Sequence, residues 1–156
     1  MTQSNPKIDT LLSDAVHTVI FPLIWGDMDA FGHLNNVMYF RYFESARIAY
    51  FENRGFTMSG KPGSIGPILA DTQCRFRVPL VFPDRLHIGT RIVDLGKDRF
   101  TMEYTMVSEN AETVAAVNRA TIVSFDYDRG KKAPLPDDWK SLLVADYEKS
   151  NVSRTS

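Results

Sequence analysis

The sequence predicts an α+β fold in which an antiparallel sheet of five strands wraps around one long helix. Two observations predict it. Residues 37–54 repeat apolar side chains at helical spacing, and residues 68–127 divide into four strand-like segments separated by turn signals. A helix that is apolar on nearly all sides needs cover on more than one side, and a curved sheet provides that cover.

The first predicted strand covers residues 17–25, which are rich in β-branched and aromatic side chains. Pro22 within it favours an edge position or a bulge. The residues before this strand form a polar leader. Residues 26–36 follow and are dense in Asp, Gly and Asn, a composition typical of a loop. His17 and His87 are each isolated in a predicted strand, and both are expected on its solvent-exposed face.

The long helix is predicted from about residue 37 to residue 54. Asn35 or Asn36 suits its N-cap, and Gly55 ends it. Its main apolar face follows the spacing i, i+3, i+4, i+7, i+11 and consists of Tyr39, Tyr42, Phe43, Ala46 and Tyr50. Further apolar residues lie on the opposite side among charged ones, so that side is also expected to be covered.

The remaining strands are predicted at about residues 68–78, 85–95, 100–107 and 113–127. Tight turn signals at residues 83–84, 96–98 and 109–110 separate them, so consecutive strands should pair antiparallel. A short C-terminal helix is predicted from Asp137 onward, after Pro134 and Pro136.

Composition limits the classes of function. A chain of 156 residues with 44% hydrophobic residues predicts a single packed domain over residues 1–156. The 18 basic and 19 acidic residues are mixed along the chain, so no nucleic-acid partner is expected. One cysteine, Cys74, is typical of a reducing compartment, and no run of about 18 apolar residues is present. We therefore expect a cytoplasmic protein with no membrane partner, and no cofactor is implied.

The densest polar cluster lies between the first strand and the long helix. Its members are Asp27, Asp29, Gly32, His33, Asn35 and Asn36. The spacing imitates a calcium loop, but Phe31 and Met38 stand where two oxygen ligands are required. Asp27, Asp29 and His33 include ligand types for a transition metal, yet the sequence supplies no further ligand nearby, so no metal is predicted.

Residues 25–52, WGDMDAFGHLNNVMYFRYFESARIAYFE, resemble the signature of hotdog-fold acyl-CoA thioesterases of the 4-hydroxybenzoyl-CoA thioesterase type. Residues 82–84 and 125–136 resemble other parts of that family, and the likeness covers about residues 17–136, the expected core. It implies a hotdog fold and a homodimer or homotetramer with active sites between subunits. It also implies that Asp29 is the catalytic carboxylate, whereas Asp27 stabilises the turn.

The resemblance assigns further roles around Asp29. The backbone amide near Asn36, at the start of the helix, is the expected donor to the thioester oxygen. His33 either holds Asp29 or a water molecule in place, or packs in the loop. Glu44 and Arg47 form either a surface pair or part of an acyl pocket.

Two basic pairs are candidates for binding the phosphates of coenzyme A. Lys97 and Arg99 resemble the basic turn of the family, although Asp98 between them departs from an all-basic pattern. Arg75 and Arg77 lie on one face of a predicted strand and are the alternative.

The function expected from this resemblance is hydrolysis of an acyl-CoA thioester to a free acid and coenzyme A. Asp29 acts either as nucleophile or as general base, and both roles fit one carboxylate. Two alternatives are a thioesterase acting on acyl carrier protein and a non-catalytic acyl-CoA-binding protein with the same fold.

Overall fold

The computed structural model describes residues 3–56 and 64–152 of the chain. Their helices and strands follow in the order α1 (Pro6–Leu11), β1 (His17–Pro22), α2 (Asn36–Arg54), β2 (Ile65–Phe76), β3 (Arg85–Leu95), β4 (Arg99–Ser108), β5 (Thr113–Asp126), β6 (Lys131–Lys132) and α3 (Asp137–Val152). The five predicted strands and the long helix are therefore confirmed, with boundaries that differ by a few residues.

The sheet is antiparallel with strand order β1-β3-β4-β5-β2, and β6 pairs with the end of β5. β1 leaves the sheet at Pro22, three residues earlier than predicted, because Trp25–Asp27 form a short 3₁₀ turn. The two outer positions belong to β1 and β2, so the strand before α2 and the strand after it lie at opposite edges.

α2 packs its predicted apolar face against the concave side of the sheet. Asn35 caps its first turn, and Gly55, with φ of 73°, ends it in the left-handed conformation that glycine adopts without strain. Phe43, Ala46 and Tyr50 are completely buried against residues of β3, β4 and β5. This arrangement is the hotdog fold that the sequence predicted.

α1 was not predicted, since its residues were assigned to a polar leader. Asn5 caps it, and Pro6 occupies its first turn, where proline costs no hydrogen bond. Ile8 and Leu12 pack on Val107 at the convex side of the sheet. A side chain at Gly89 would collide with this segment, which explains the glycine there.

α3 is longer than the short helix predicted. It spans 16 residues, and its buried side chains are Trp139, Leu143, Asp146 and Ser150. Two of these four are polar, so the buried face does not show in the sequence as apolar residues at helical spacing. No helix in the described part of the chain combines the length and apolar character that crossing a membrane requires.

Two side-chain placements predicted from the sequence, those of His17 and Arg47, are wrong. His17 is half-buried and packs edge-on against Tyr50, and burial followed by the charge of Arg54 lowers the pKa of its imidazole. His87 does lie on the outer face of β3, opposite the core residues Leu86 and Ile88, and its Nε2 lies 2.6 Å from Glu109. Arg47 forms no surface pair, because it is buried and donates a hydrogen bond to the Tyr104 hydroxyl at 3.0 Å.

Candidate active site

The loop between β1 and α2 folds back tightly around Asp29. The Asp29 amide donates to the carbonyl of His33 at 2.9 Å, and the Gly32 amide donates to the carbonyl of Asp29 at 3.0 Å. Gly32 has φ of 80°, a conformation that favours glycine. These bonds fix His33 directly across the loop from Asp29.

The Asp29 carboxylate is held on one side only. Its Oδ1 accepts a hydrogen bond from the amide of Phe31 at 2.9 Å, an Asx turn that sets the direction of the side chain. Its Oδ2 has no hydrogen-bond partner among residues 3–56 and 64–152. The side chain is partly exposed, so this oxygen is available to a substrate or a water molecule.

Asp27 anchors the loop to α2, as expected for a residue that stabilises the turn. Its Oδ2 accepts a hydrogen bond from the Tyr42 hydroxyl at 2.8 Å, and its carbonyl accepts from the Asn35 amide at 3.0 Å. The Tyr42 hydroxyl also accepts from the Ile24 amide at 3.1 Å. Burial is the main cause that raises the pKa of Tyr42 to about 12, so the hydroxyl stays protonated at neutral pH.

Replacing Tyr42 with phenylalanine is expected to reduce activity through the loop. The variant loses the hydroxyl that joins Ile24 to Asp27, which costs about 1–2 kcal/mol of unfolding free energy. We expect kcat to fall about 10-fold and KM to change by a smaller factor, because Asp29 is less well positioned. Steady-state kinetics and urea unfolding measure both effects. Tyr147→Phe, on the exposed side of α3, is the matched control, and equal kcat in the two variants would contradict the positioning role.

The first turn of α2 leaves one amide available. The Asn35 side chain accepts a hydrogen bond from the Val37 amide at 3.0 Å, and the Asn35 carbonyl accepts from the Met38 amide at 2.9 Å. The Asn36 amide has no acceptor in the described part of the chain. It therefore combines an unpaired donor with the positive end of the helix dipole, an arrangement that stabilises developing negative charge.

A cleft of about 300 Å³ opens beside this amide. It lies between the start of α2 and the segment that follows β2, and its lining residues are His33, Leu34, Asn36, Tyr39, Phe76, Arg77, Val78 and Pro79. Tyr39 and Phe76 meet edge-to-face at 4.9 Å and form an aromatic wall. Asp29 is not one of the lining residues but belongs to the same loop as His33.

The structure thus brings together three of the five predicted site residues. Asp29, His33 and Asn36 share one loop and the helix start that follows it. Lys97 and Arg99 lie in and after the β3–β4 turn, at the other end of the sheet, roughly 30 Å away along β3. Arg99 also donates to Asp98 at 2.9 Å. Within one chain these two basic residues do not reach the cleft.

Sequence reasoning missed the residues contributed by the end of β2. Phe76, Val78 and Pro79 line the cleft although they lie about 40 residues after Asn36 in the chain. The sequence placed Phe76 and Val78 in a strand but carried no signal that the end of this strand meets the helix start. Tyr42 was predicted as an apolar core residue, and its hydroxyl role was not foreseen.

Cys74 lies on the inner side of β2, where it packs against the core. Burial raises the pKa of its thiol to about 11. In the native protein at pH 8, we expect iodoacetamide to react on the order of 100-fold more slowly than with the unfolded chain, because far less thiolate is present. The rate should rise about tenfold per pH unit until pH reaches about 11. A plateau between pH 8 and 9 would contradict this prediction.

Among residues 3–56 and 64–152, no three His, Cys, Asp or Glu side chains converge as a metal site requires. Asp27 and Asp29 in particular have different partners. The Asp27 carboxylate binds the Tyr42 hydroxyl and the Asp29 carboxylate binds a backbone amide.

The chain is similar to known proteins over most of its length. A family model described as the thioesterase-like superfamily matches residues 23–143. YsmA of Bacillus subtilis (strain 168) is 28% identical over 121 residues, which are 77% of this chain and 80% of YsmA. The PA2801 protein of Pseudomonas aeruginosa is 26% identical, with a TM-score of 0.75 over 83% of this chain and 98% of that one. Slr0204 of Synechocystis, a 1,4-dihydroxy-2-naphthoyl-CoA thioesterase, is 19% identical, with a TM-score of 0.74 over 81% of this chain and 94% of that one.

Proposed function

Since the chain belongs to the thioesterase-like superfamily, we propose that it hydrolyses an acyl-CoA thioester and that Asp29 is the essential carboxylate. One observation carries the proposal. Asn36, whose amide has no acceptor among the described residues, lines a cleft at the helix start, and the Asp29 carboxylate in the preceding loop keeps one oxygen without a partner among those residues.

In the proposed reaction the thioester carbonyl oxygen binds the Asn36 amide. Charge accumulates on this oxygen as the carbonyl carbon becomes tetrahedral, and the amide, together with the helix dipole, stabilises it. Removing one such donor typically costs roughly 10²–10³ in kcat. Because the donor belongs to the backbone, substituting the Asn36 side chain should matter less than substituting Asp29.

Asp29 has two possible roles in the attack. As general base it takes a proton from water while the water oxygen bonds to the carbonyl carbon. The carbon–sulfur bond then breaks, and the thiolate leaves and takes up the proton. As nucleophile its Oδ2 bonds to the carbonyl carbon, the carbon–sulfur bond breaks, and the thiolate leaves and takes a proton from solvent. The resulting acyl anhydride is then hydrolysed by water, which releases the free acid and restores Asp29. Hydroxylamine trapping of an acylated Asp29 separates the two, since only the second forms a covalent intermediate.

His33 lines the cleft, and its carbonyl is bonded to the Asp29 amide. We propose that its exposed ring holds a water molecule or the substrate beside Asp29. The acyl group enters between the helix start and the aromatic wall of Tyr39 and Phe76.

We also propose that the working form is a homodimer or homotetramer. Apolar side chains are exposed on α2 and on the edge strand β2, among them Val37, Ile48 and Leu69. Their burial in a second copy would stabilise an assembly. Such an assembly is also needed if Lys97 and Arg99 are to approach a substrate. Light scattering after size exclusion should give a dimer or tetramer mass, and a monomer at micromolar concentration would contradict this proposal.

The test of the proposed function is thiol release by the purified protein from a panel of short, long and aromatic acyl-CoAs. We expect turnover far above the uncatalysed rate, with the preferred acyl chain identifying the substrate class. Slr0204 is a 1,4-dihydroxy-2-naphthoyl-CoA thioesterase, so an aromatic acyl-CoA belongs in the panel. If the protein releases acyl groups only from acyl carrier protein, then acyl carrier protein, and not coenzyme A, is the carrier in its substrate. Saturable acyl-CoA binding without release would show a binding protein.

A further inference from the structure

A groove of about 560 Å³ crosses the convex face of the sheet, on the side away from α2. Successive residues of a strand point to opposite faces, so Gln73 and Arg75 of β2 line the groove whereas Cys74 and Phe76 face the helix. The proposed reaction at the start of α2 assigns no role to this groove.

A ladder of charges forms the floor of the groove. Arg91, Glu103 and Arg119 are consecutive partners across β3, β4 and β5. Glu103 accepts hydrogen bonds from Arg91 at 2.6 Å and from Arg119 at 3.1 Å, so both of its oxygens are engaged. Arg91 is 3% exposed, and its Nη1 has no hydrogen-bond partner among the described residues. One guanidinium donor beneath the groove is therefore left unpaired.

The rim of the groove is more positive than the floor. Arg75 in the edge strand β2 and Arg77 just after its end are exposed and form no ion pair or side-chain hydrogen bond with residues 3–56 or 64–152. Together with Asp14, the groove contains four arginines and two carboxylates, which gives a net charge of +2. Arginine is the side chain best suited to phosphate, because its planar group donates two parallel hydrogen bonds.

The groove and the candidate active-site cleft meet at Arg77, which lines both. A molecule with its thioester in the cleft would pass Arg77 at the end of β2 to place an anionic end in the groove of the same chain. The Lys97–Arg99 turn shares no lining residue with the cleft, since it lies at the opposite end of the sheet.

We infer that the arginine groove formed by Arg75, Arg77, Arg91 and Arg119 binds the phosphates of coenzyme A while the thioester occupies the cleft. This inference rests on the proposed function. The nucleotide end of the substrate then lies on the convex face of the sheet. The linker between the phosphates and the thioester passes Arg77. Arg75 and Arg119 contact the phosphates, and Arg91 supplies positive charge from below.

The test compares each acyl group on two carriers. One substrate is the acyl-CoA, and the other is the acyl-pantetheine, which carries the same thioester without any phosphate. The measured quantity is the ratio of kcat/KM for the two substrates. We expect Arg75→Glu to lower this ratio about 10-fold, because it replaces an attraction for phosphate by a repulsion. Added salt should also lower the wild-type ratio.

Arg129→Glu is the matched control, since Arg129 is an exposed arginine beyond β5 and away from the groove. The inference is overturned if Arg75→Glu and Arg129→Glu give the wild-type ratio, or if a Lys97→Glu/Arg99→Glu variant lowers it instead. Hydrolysis only from acyl carrier protein also overturns it, because the groove would then meet no nucleotide. Release from neither CoA nor pantetheine by the wild type rejects the proposed function itself, so the two failures are distinguishable.

Discussion

Replacing Asp29 with asparagine is expected to lower kcat for thioester hydrolysis by about 10²–10⁴. The asparagine carbonyl oxygen can still accept the hydrogen bond from the Phe31 amide, so the loop should keep its shape. What is lost is the negative charge on the oxygen that has no partner in the described structure. The proposed base or nucleophile is then absent from the loop before the Asn36 amide. Steady-state thiol release measures this effect.

Asp27→Asn is the matched control for this prediction, because the two carboxylates lie two residues apart in one loop. The Asp27 side chain accepts a hydrogen bond from the Tyr42 hydroxyl and has no role in the proposed reaction. The side-chain oxygen of asparagine can accept the same bond, so Asp27→Asn should keep most of the wild-type rate. A loss with Asp27→Asn as large as with Asp29→Asn would show that the loop, and not one carboxylate, explains the effect.

Replacing Asp146 with alanine is expected to lower the free energy of unfolding by about 3–5 kcal/mol. Asp146 is 4% exposed and joins α3 to the end of α2. It accepts from the Tyr50 hydroxyl at 2.6 Å and from Nε of Arg54 at 2.8 Å. The variant leaves the partly buried guanidinium of Arg54 without its partner carboxylate. The hydrogen bond to Asp146 is the main cause that raises the pKa of Arg54. Without Asp146 this pKa falls back toward the ordinary value of arginine, which is far above neutral, so the guanidinium stays charged at pH 7.

Urea unfolding at pH 7 measures this change. Glu148→Ala, on the exposed side of the same helix, is the control and should remain within about 0.5 kcal/mol of the wild type. A loss below about 1 kcal/mol in Asp146→Ala would show that water replaces the carboxylate and that the junction between α2 and α3 does not depend on this ion pair.

The sequence predicted those parts of the fold in which local pattern and burial agree. α2 was predicted closely because its apolar spacing, cap and terminal glycine all indicate the same helix. α3 was predicted too short because Asp146 and Ser150 are polar yet buried, and their partners Tyr50 and Ile92 lie far away in the chain. Arg47 was misplaced for the same reason, since its burial depends on Tyr104.

The candidate site could be predicted only where it is continuous in sequence. Asp29, His33 and Asn36 belong to one short segment, and the helix start indicates an available amide. The aromatic wall depends on Phe76, which the sheet topology brings to Tyr39. The sequence alone does not indicate which end of the sheet the turn of Lys97 and Arg99 occupies. The alternation of β2 side chains between the two faces of the sheet could be predicted from the sequence. That Arg77 also lines the cleft is seen only in the structure.

A single-turnover experiment tests the central claim most directly, because it isolates the chemical step from product release. Wild-type protein and the Asp29→Asn variant, each folded and in excess over the preferred acyl-CoA, are mixed with substrate and the released thiol is followed with time. The account predicts rapid release by the wild type and release about 10²–10⁴ slower by the variant. Equal single-turnover rates in the two proteins would contradict the assignment of Asp29.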